Sequence, residues 1–129
     1  MKKALIAIAL ILSVYQIGLA QTDETLSLGA GQQRQADRGR LRIRFVSVLE
    51  DSRCPVGAAC VWAGNAKIKI EISKRRVQSK TLELNTGLDP RTVKFEDYEL
   101  RLVSVTPKPQ VGPSTKNAAP AITVAIHKR

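Results

Sequence analysis

The residues best suited to chemistry gather in one stretch, Asp51–Ala66, which reads D-S-R-C-P-V-G-A-A-C-V-W-A-G-N-A. It holds both cysteines, Cys54 and Cys60, and the one tryptophan, Trp62. Two thiols at this spacing offer a disulfide, a redox pair or part of a metal site. Redox pairs more often use C-x-x-C beside a helix N-terminus that lowers a thiol pKa, and neither is evident here. A metal would have to draw on Cys54, Cys60, His127 and Asp51, a spacing that matches no zinc pattern. The expected state is therefore the bridge, with no metal and no cofactor. Closing so short a loop contributes about 2 kcal/mol through chain entropy. It would also freeze a knuckle in which Pro55 fixes one φ angle and Gly57 permits an otherwise costly one. Such a knuckle is either a staple between two strands or a rigid loop that a partner reads. In the second case Arg53, Pro55, Val56, Gly57 and Trp62 are the candidate contacts, and the ordering cost of binding is already met on folding.

The flanking residues have structural roles available. Asp51 and Ser52 can bond nearby backbone N–H groups in turns. Arg53 can pair with Asp51 or cover Trp62. A single tryptophan beside a disulfide is expected to plug the core. Catalysis lacks a base: the one histidine, His127, sits next to Lys128 and Arg129 at the end of the chain and reads as an exposed terminal residue. No Ser–His or Cys–His pair can form without it. Glu96, Asp97 and Glu99 cluster as a solvated edge would.

The chain carries a formal net charge of +10. Two basic rows stand out. Arg40, Arg42 and Arg44 alternate with apolar residues on one segment. Lys67, Lys69, Lys74, Arg75 and Arg76 lie on or near a second. If both rows share a sheet face, they form a patch suited to a polyanion. Aromatic residues make up only 4% of the chain, too few for a nucleic-acid stacking platform, so an anionic envelope polymer is the expected polyanion.

The compartment is read from the N-terminus. Lys2 and Lys3 precede an apolar run from Ala4 to Val14, and Gly18-Leu19-Ala20 supplies small residues for cleavage. This is the pattern of a secretory signal peptide over residues 1–20. The apolar run is short of the roughly 20 residues that span a bilayer, and no cysteine follows it to take a lipid. Export into an oxidising compartment, with no transmembrane anchor after processing, agrees with a disulfide.

Residues 21–129 must then form the domain that positions the knuckle. Thr25–Leu28 alternates as a short edge strand would, and Arg34–Gly39 reads as an exposed turn. From Arg40 to Leu49 the alternation is strict, with Leu41, Ile43 and Phe45 on one face. The apolar phase then moves to Val46 and Val48, which predicts a β-bulge near Phe45 or Val46. Ala66–Ile72 is the cleanest strand, and Lys74-Arg75-Arg76 is a hairpin tip. Val77 and Gln78 start the return, and Leu82 and Leu84 alternate with Thr81 and Glu83. Turn chemistry marks Asn85–Pro90. Val93 and Phe95 suggest a short strand. Tyr98, Leu100 and Leu102 alternate until Val103 and Val105 shift phase, a second bulge signal. Pro107–Pro120 holds four of the six prolines and reads as a long loop. Ile122, Val124 and Ile126 form a closing strand. Six to eight short strands without helical period predict a single all-β domain, an antiparallel sandwich or small barrel.

The segment D-S-R-C-P, four residues, then C-V-W-A-G-N-A resembles one found in small exported bacterial proteins of uncharacterised function. The run F-E-D-Y-E-L-R-L-V-S-V-T-P from Phe95 to Pro107 is similar to their C-terminal half. The resemblance implies an exported single β domain and no mechanism. The function expected is a non-catalytic binding or structural domain of the bacterial envelope. Its partner would be an envelope protein or an anionic polymer. The alternative is an inhibitor of an exported hydrolase that inserts the 53–60 loop.

Overall fold

A computed structural model describes residues 23–112 and 118–129; the leader expected over residues 1–20 lies outside them. Eight strands follow in order: β1 (Asp23–Gly29), β2 (Gln33–Ala36), β3 (Leu41–Asp51), β4 (Ala66–Lys74), β5 (Val77–Asn85), β6 (Thr92–Phe95), β7 (Tyr98–Thr106) and β8 (Ala121–Lys128). They form two antiparallel four-stranded sheets, ordered β1-β8-β7-β6 and β2-β3-β4-β5. Of the two architectures expected, the sandwich is therefore the one adopted. No helix occurs among the described residues.

Period-two alternation builds the core directly. Leu41, Ile43 and Phe45 of β3 and Ala66, Ile68, Ile70 and Ile72 of β4 are fully buried. They face Tyr98, Leu100, Val124 and Ile126 of the other sheet within one hydrophobic cluster. Each fully buried Leu or Ile contributes about 1.5–3 kcal/mol. Both phase shifts are real. The β3–β4 register slips between Phe45 and Ser47, and the β7–β8 register between Leu102 and Ser104. The second slip is what leaves Val103 exposed while Leu102 and Val105 are both buried.

One stretch read as an exposed turn is corrected. Gln33–Ala36 is a strand paired with β3, and the turn is confined to Asp37–Arg40. Only Ala36 of that strand is buried, so β2 carries almost no apolar alternation for a sequence reading to find. The run from Val77 to Asn85 is one continuous edge strand. Lys80 falls opposite Ile72, in the phase that faces the core, yet it is exposed. An inward-phase charge on an edge strand hinders edge-to-edge pairing with another copy.

Polar ties close the sandwich at its hairpin end. The Tyr98 hydroxyl, from β7, donates to Asp37 Oδ2 at 2.5 Å, and Lys128 Nζ donates to the same oxygen at 2.9 Å. Lys74 Nζ donates to Asp97 Oδ1 at 2.7 Å. Both ammonium groups lie over the Tyr98 ring, at 5.4 and 5.6 Å from its centre. These contacts join strands of both sheets. The bond from Tyr98, then that from Lys128, holds the Asp37 carboxyl below its usual range. Burial, reinforced by the facing Asp37 carboxylate, pushes the Tyr98 hydroxyl well above its usual range.

Candidate functional site

The opposite end of the sandwich carries the Asp51–Ala66 segment. The segment joins two strands, as the staple reading expects, and they are paired neighbours. Asp51 pairs with Ala66, so β3 and β4 are neighbours and residues 52–65 form one long hairpin connection. Its two halves differ completely in character.

The base is locked. Ser52 N donates to Asn65 O at 2.7 Å, and the Ser52 hydroxyl and Asn65 N are bonded at 3.2 Å. Arg53 grips Asp51 through two parallel bonds of 2.8 Å, from Nε and Nη2. Its remaining donors reach Val105 O at 2.5 Å and Pro107 O at 2.9 Å, at the end of β7 in the other sheet. The guanidinium bond from Arg53 keeps the Asp51 carboxyl below its usual range. Arg53 is thus an inter-sheet tie, and its side chain is only 14% exposed. Of its two expected roles it takes the pairing with Asp51, while it also lines the groove beside Trp62.

Asn65, which the sequence reading passed over, is the centre of the base. It is buried, donates to Asn85 Oδ1 at 2.9 Å, and accepts from the Gly87 and Leu88 N–H groups at 2.8 and 3.2 Å. Asn85, also buried, passes the chain on to Pro90 O at 3.2 Å. Two turns, 64–65 and 85–88, lie side by side at the open end of the β4–β5 pair, where Lys67 pairs with Asn85, and interlock through these amides. Their approach leaves no room for a side chain at Gly87, where a Cβ would lie 2.3 Å from Gly64 O. Gly64 has φ of 77°, and a Cβ there would lie 2.0 Å from Ser52 O. The available sequence signal was two turn-type clusters, G-N and N-T-G, flanking one hairpin.

The tip is displayed. Cys54 and Cys60 are bonded to each other, which removes both thiols from any metal set. The Ala58 N–H closes on Pro55 O at 3.1 Å, with Gly57 at φ of 90°. Positive φ at the third position of a four-residue turn is the type II geometry that selects glycine. Val56 donates its N–H to Pro109 O at 2.8 Å and accepts from Val111 N at 3.3 Å, which seats the knuckle on the proline-rich segment. Val56 is 54% exposed, Trp62 55% and Val61 fully exposed. Trp62 therefore does not plug the core. The Gly64–Asn65 anchor turns the chain back before the ring can reach the interior. A groove of about 690 Å³ runs between Trp62 and Arg91, with Arg53, Val56, Thr86, Lys108 and Pro109 along it. No carboxylate lines it.

The basic rows divide. Arg42 and Arg44 of β3 and Lys67 and Lys69 of β4 do share the outer face of the second sheet. They are interleaved with acids there. Glu71 pairs across from Arg44, Glu83 across from Lys69, and Glu50 lies 3.8 Å from Lys67. Arg40 sits in the turn before β3, and Lys74, Arg75 and Arg76 at the β4–β5 hairpin. His127 is not a fraying residue. It lies in β8 between Asp23 and Glu99 on the neighbouring strands, with Nδ1 2.5 Å from Asp23 Oδ1. Among the described residues no group of three or more His, Cys, Asp or Glu side chains converges as metal ligands would.

With this geometry the chain defines a class by fold alone, a two-sheet antiparallel sandwich carrying a stapled hairpin loop. Comparison with protein-family models, curated proteins and solved structures finds no match.

Proposed function

We propose that the chain is an exported, non-catalytic binding domain of the bacterial envelope that engages a protein partner through the disulfide knuckle. One observation carries this. Val56, Val61 and Trp62 are held outward on a covalently closed loop whose base is fixed to both sheets. Exposed aromatic and aliphatic side chains on a rigid support are what protein interfaces use as anchors, because little further ordering is lost on binding. The signal-like N-terminus and the disulfide support an oxidising compartment. The Arg53 guanidinium is occupied by Asp51 and two carbonyls, which leaves Val56, Val61 and Trp62 as the leading contacts.

The test is capture from envelope extract by wild type and by a Val61→Asp, Trp62→Ala double variant, with thermal unfolding of both. The expected result is one partner band lost with the variant at unchanged melting temperature, and recovered with the purified partner in a binary assay. Equal capture by both proteins would overturn the proposal. Stoichiometric loss of activity in a panel of proteases and wall-lytic enzymes would redirect it to hydrolase inhibition.

A further inference from the structure

A second site stands at the other end of the same sheet. The β2–β3 turn and the β4–β5 hairpin meet there because Leu41 pairs with Lys74. Between them lies a cleft of about 410 Å³ lined by Gly39, Arg40, Arg42, Ser73, Lys74 and Arg75. Three guanidinium groups, one ammonium and one hydroxyl line it, and no carboxylate does. Two of the cations are braced from outside the cleft. Lys74 bonds Asp97 at 2.7 Å, and Arg40 lies 3.9 Å from Asp37. Among the described residues, Arg42 and Arg75 form no ion pair. The contrast with the middle of the same face is what makes this informative. There Glu50, Glu71 and Glu83 alternate with Arg44, Lys67 and Lys69. Here four cations converge on a concave space and only Lys74 and Arg40 have an acidic partner, so Arg42 and Arg75 repel their neighbours until an anion enters.

We propose that this cleft binds a phosphate group. A guanidinium presents parallel N–H donors that match the oxygens of a phosphate, and Arg is the preferred residue for that contact. The two unpaired arginines match the double charge of one phosphate dianion or two neighbouring phosphodiesters. A phosphorylated envelope polymer and an anionic lipid headgroup both offer this chemistry. The cleft and the knuckle lie at opposite ends of β3, whose 11 residues span about 35 Å. The two sites can therefore be occupied together, and failure of one leaves the other standing.

Two double variants remove the same charge from the same face: Arg42→Gln with Arg75→Gln in the cleft, and Lys67→Gln with Lys69→Gln in the middle. Titration calorimetry with inorganic pyrophosphate is expected to show affinity about tenfold weaker for the cleft variant, a loss of about 1.4 kcal/mol, and a change under about twofold for the control. Polyphosphate titration and sedimentation with phosphatidylglycerol vesicles then separate the polymer from the lipid source, and binding to either supports the site. No binding of pyrophosphate by wild type, equal losses in the two variants, or equally tight binding of polygalacturonate would overturn it.

Discussion

The base and the tip of the 52–65 connection are adjacent in sequence and opposite in physics. At the base, Asn65 and Asn85 are buried, Arg53 is mostly covered, and all three are bonded, with Ser52 bonded beside them at the surface. At the tip, Val56, Val61 and Trp62 are apolar and point outward. Both halves invert the usual assignment of polar residues to the surface and apolar ones to the interior. The inversion is consistent: the buried amides and the largely covered guanidinium hold the loop in one place, and the exposed apolar groups are what it holds. Stability should therefore reside in the base and recognition in the tip, and substitutions can separate the two.

The largest effect is expected at Gly64. Gly64→Ala places a methyl group against Ser52 O at a positive φ, which should cost about 3 kcal/mol or more by urea unfolding. A loss under about 1 kcal/mol would mean that the base is loose. Asn65→Ala comes next. It leaves the Gly87 and Leu88 N–H groups and the Asn85 amide without their partner, at about 2–4 kcal/mol. Arg53→Lys keeps the charge but loses the fork to Asp51 and one carbonyl bond, about 1.5–3 kcal/mol. The sign of its pH dependence follows from Asp51. That carboxyl titrates lower in the folded chain than in the unfolded one, so the stabilisation is present above about pH 4 and lost as pH falls through the folded value. The difference in stability between wild type and Arg53→Lys should accordingly shrink in acid, and a constant difference from pH 7 to pH 3 would disprove the tie.

The Cys54→Ser, Cys60→Ser pair should cost about 2 kcal/mol. Because the base is held by other bonds, Asn65 amide protection in hydrogen exchange should survive that change. Smallest of all is the tip. Val61→Asp with Trp62→Ala should shift stability by no more than about 0.5 kcal/mol. A large loss there would show the tip to be packed and would erase the contrast.

The sequence reveals the antiparallel all-β class, sandwich or barrel, through its period-two runs, and even its bulges, because an apolar phase shift such as Phe45 to Val46 is a local signal. It hides β2, since an edge strand with one buried alanine has no pattern to detect. The site is half legible. The disulfide follows from cysteine count and compartment. The exposure of Trp62 does not, because residue type favours burial and the override comes from Gly64 and Asn65 two and three positions later. Asn65 itself acts through Asn85, twenty positions away, a pairing that only the β4–β5 register creates. The basic rows were visible as rows. Their division into a balanced middle and an end where Arg42 and Arg75 lack acids depends on which acids stand across each strand.

The seating of Val56 on the proline-rich segment limits how the knuckle can be read. Its main-chain N–H and C=O are both taken, by Pro109 and Val111. At that residue the knuckle offers no backbone rung on which an incoming peptide could build a further strand. Recognition there must work through the shape and grease of side chains. A partner that fits should carry a socket for them, not an extended tail.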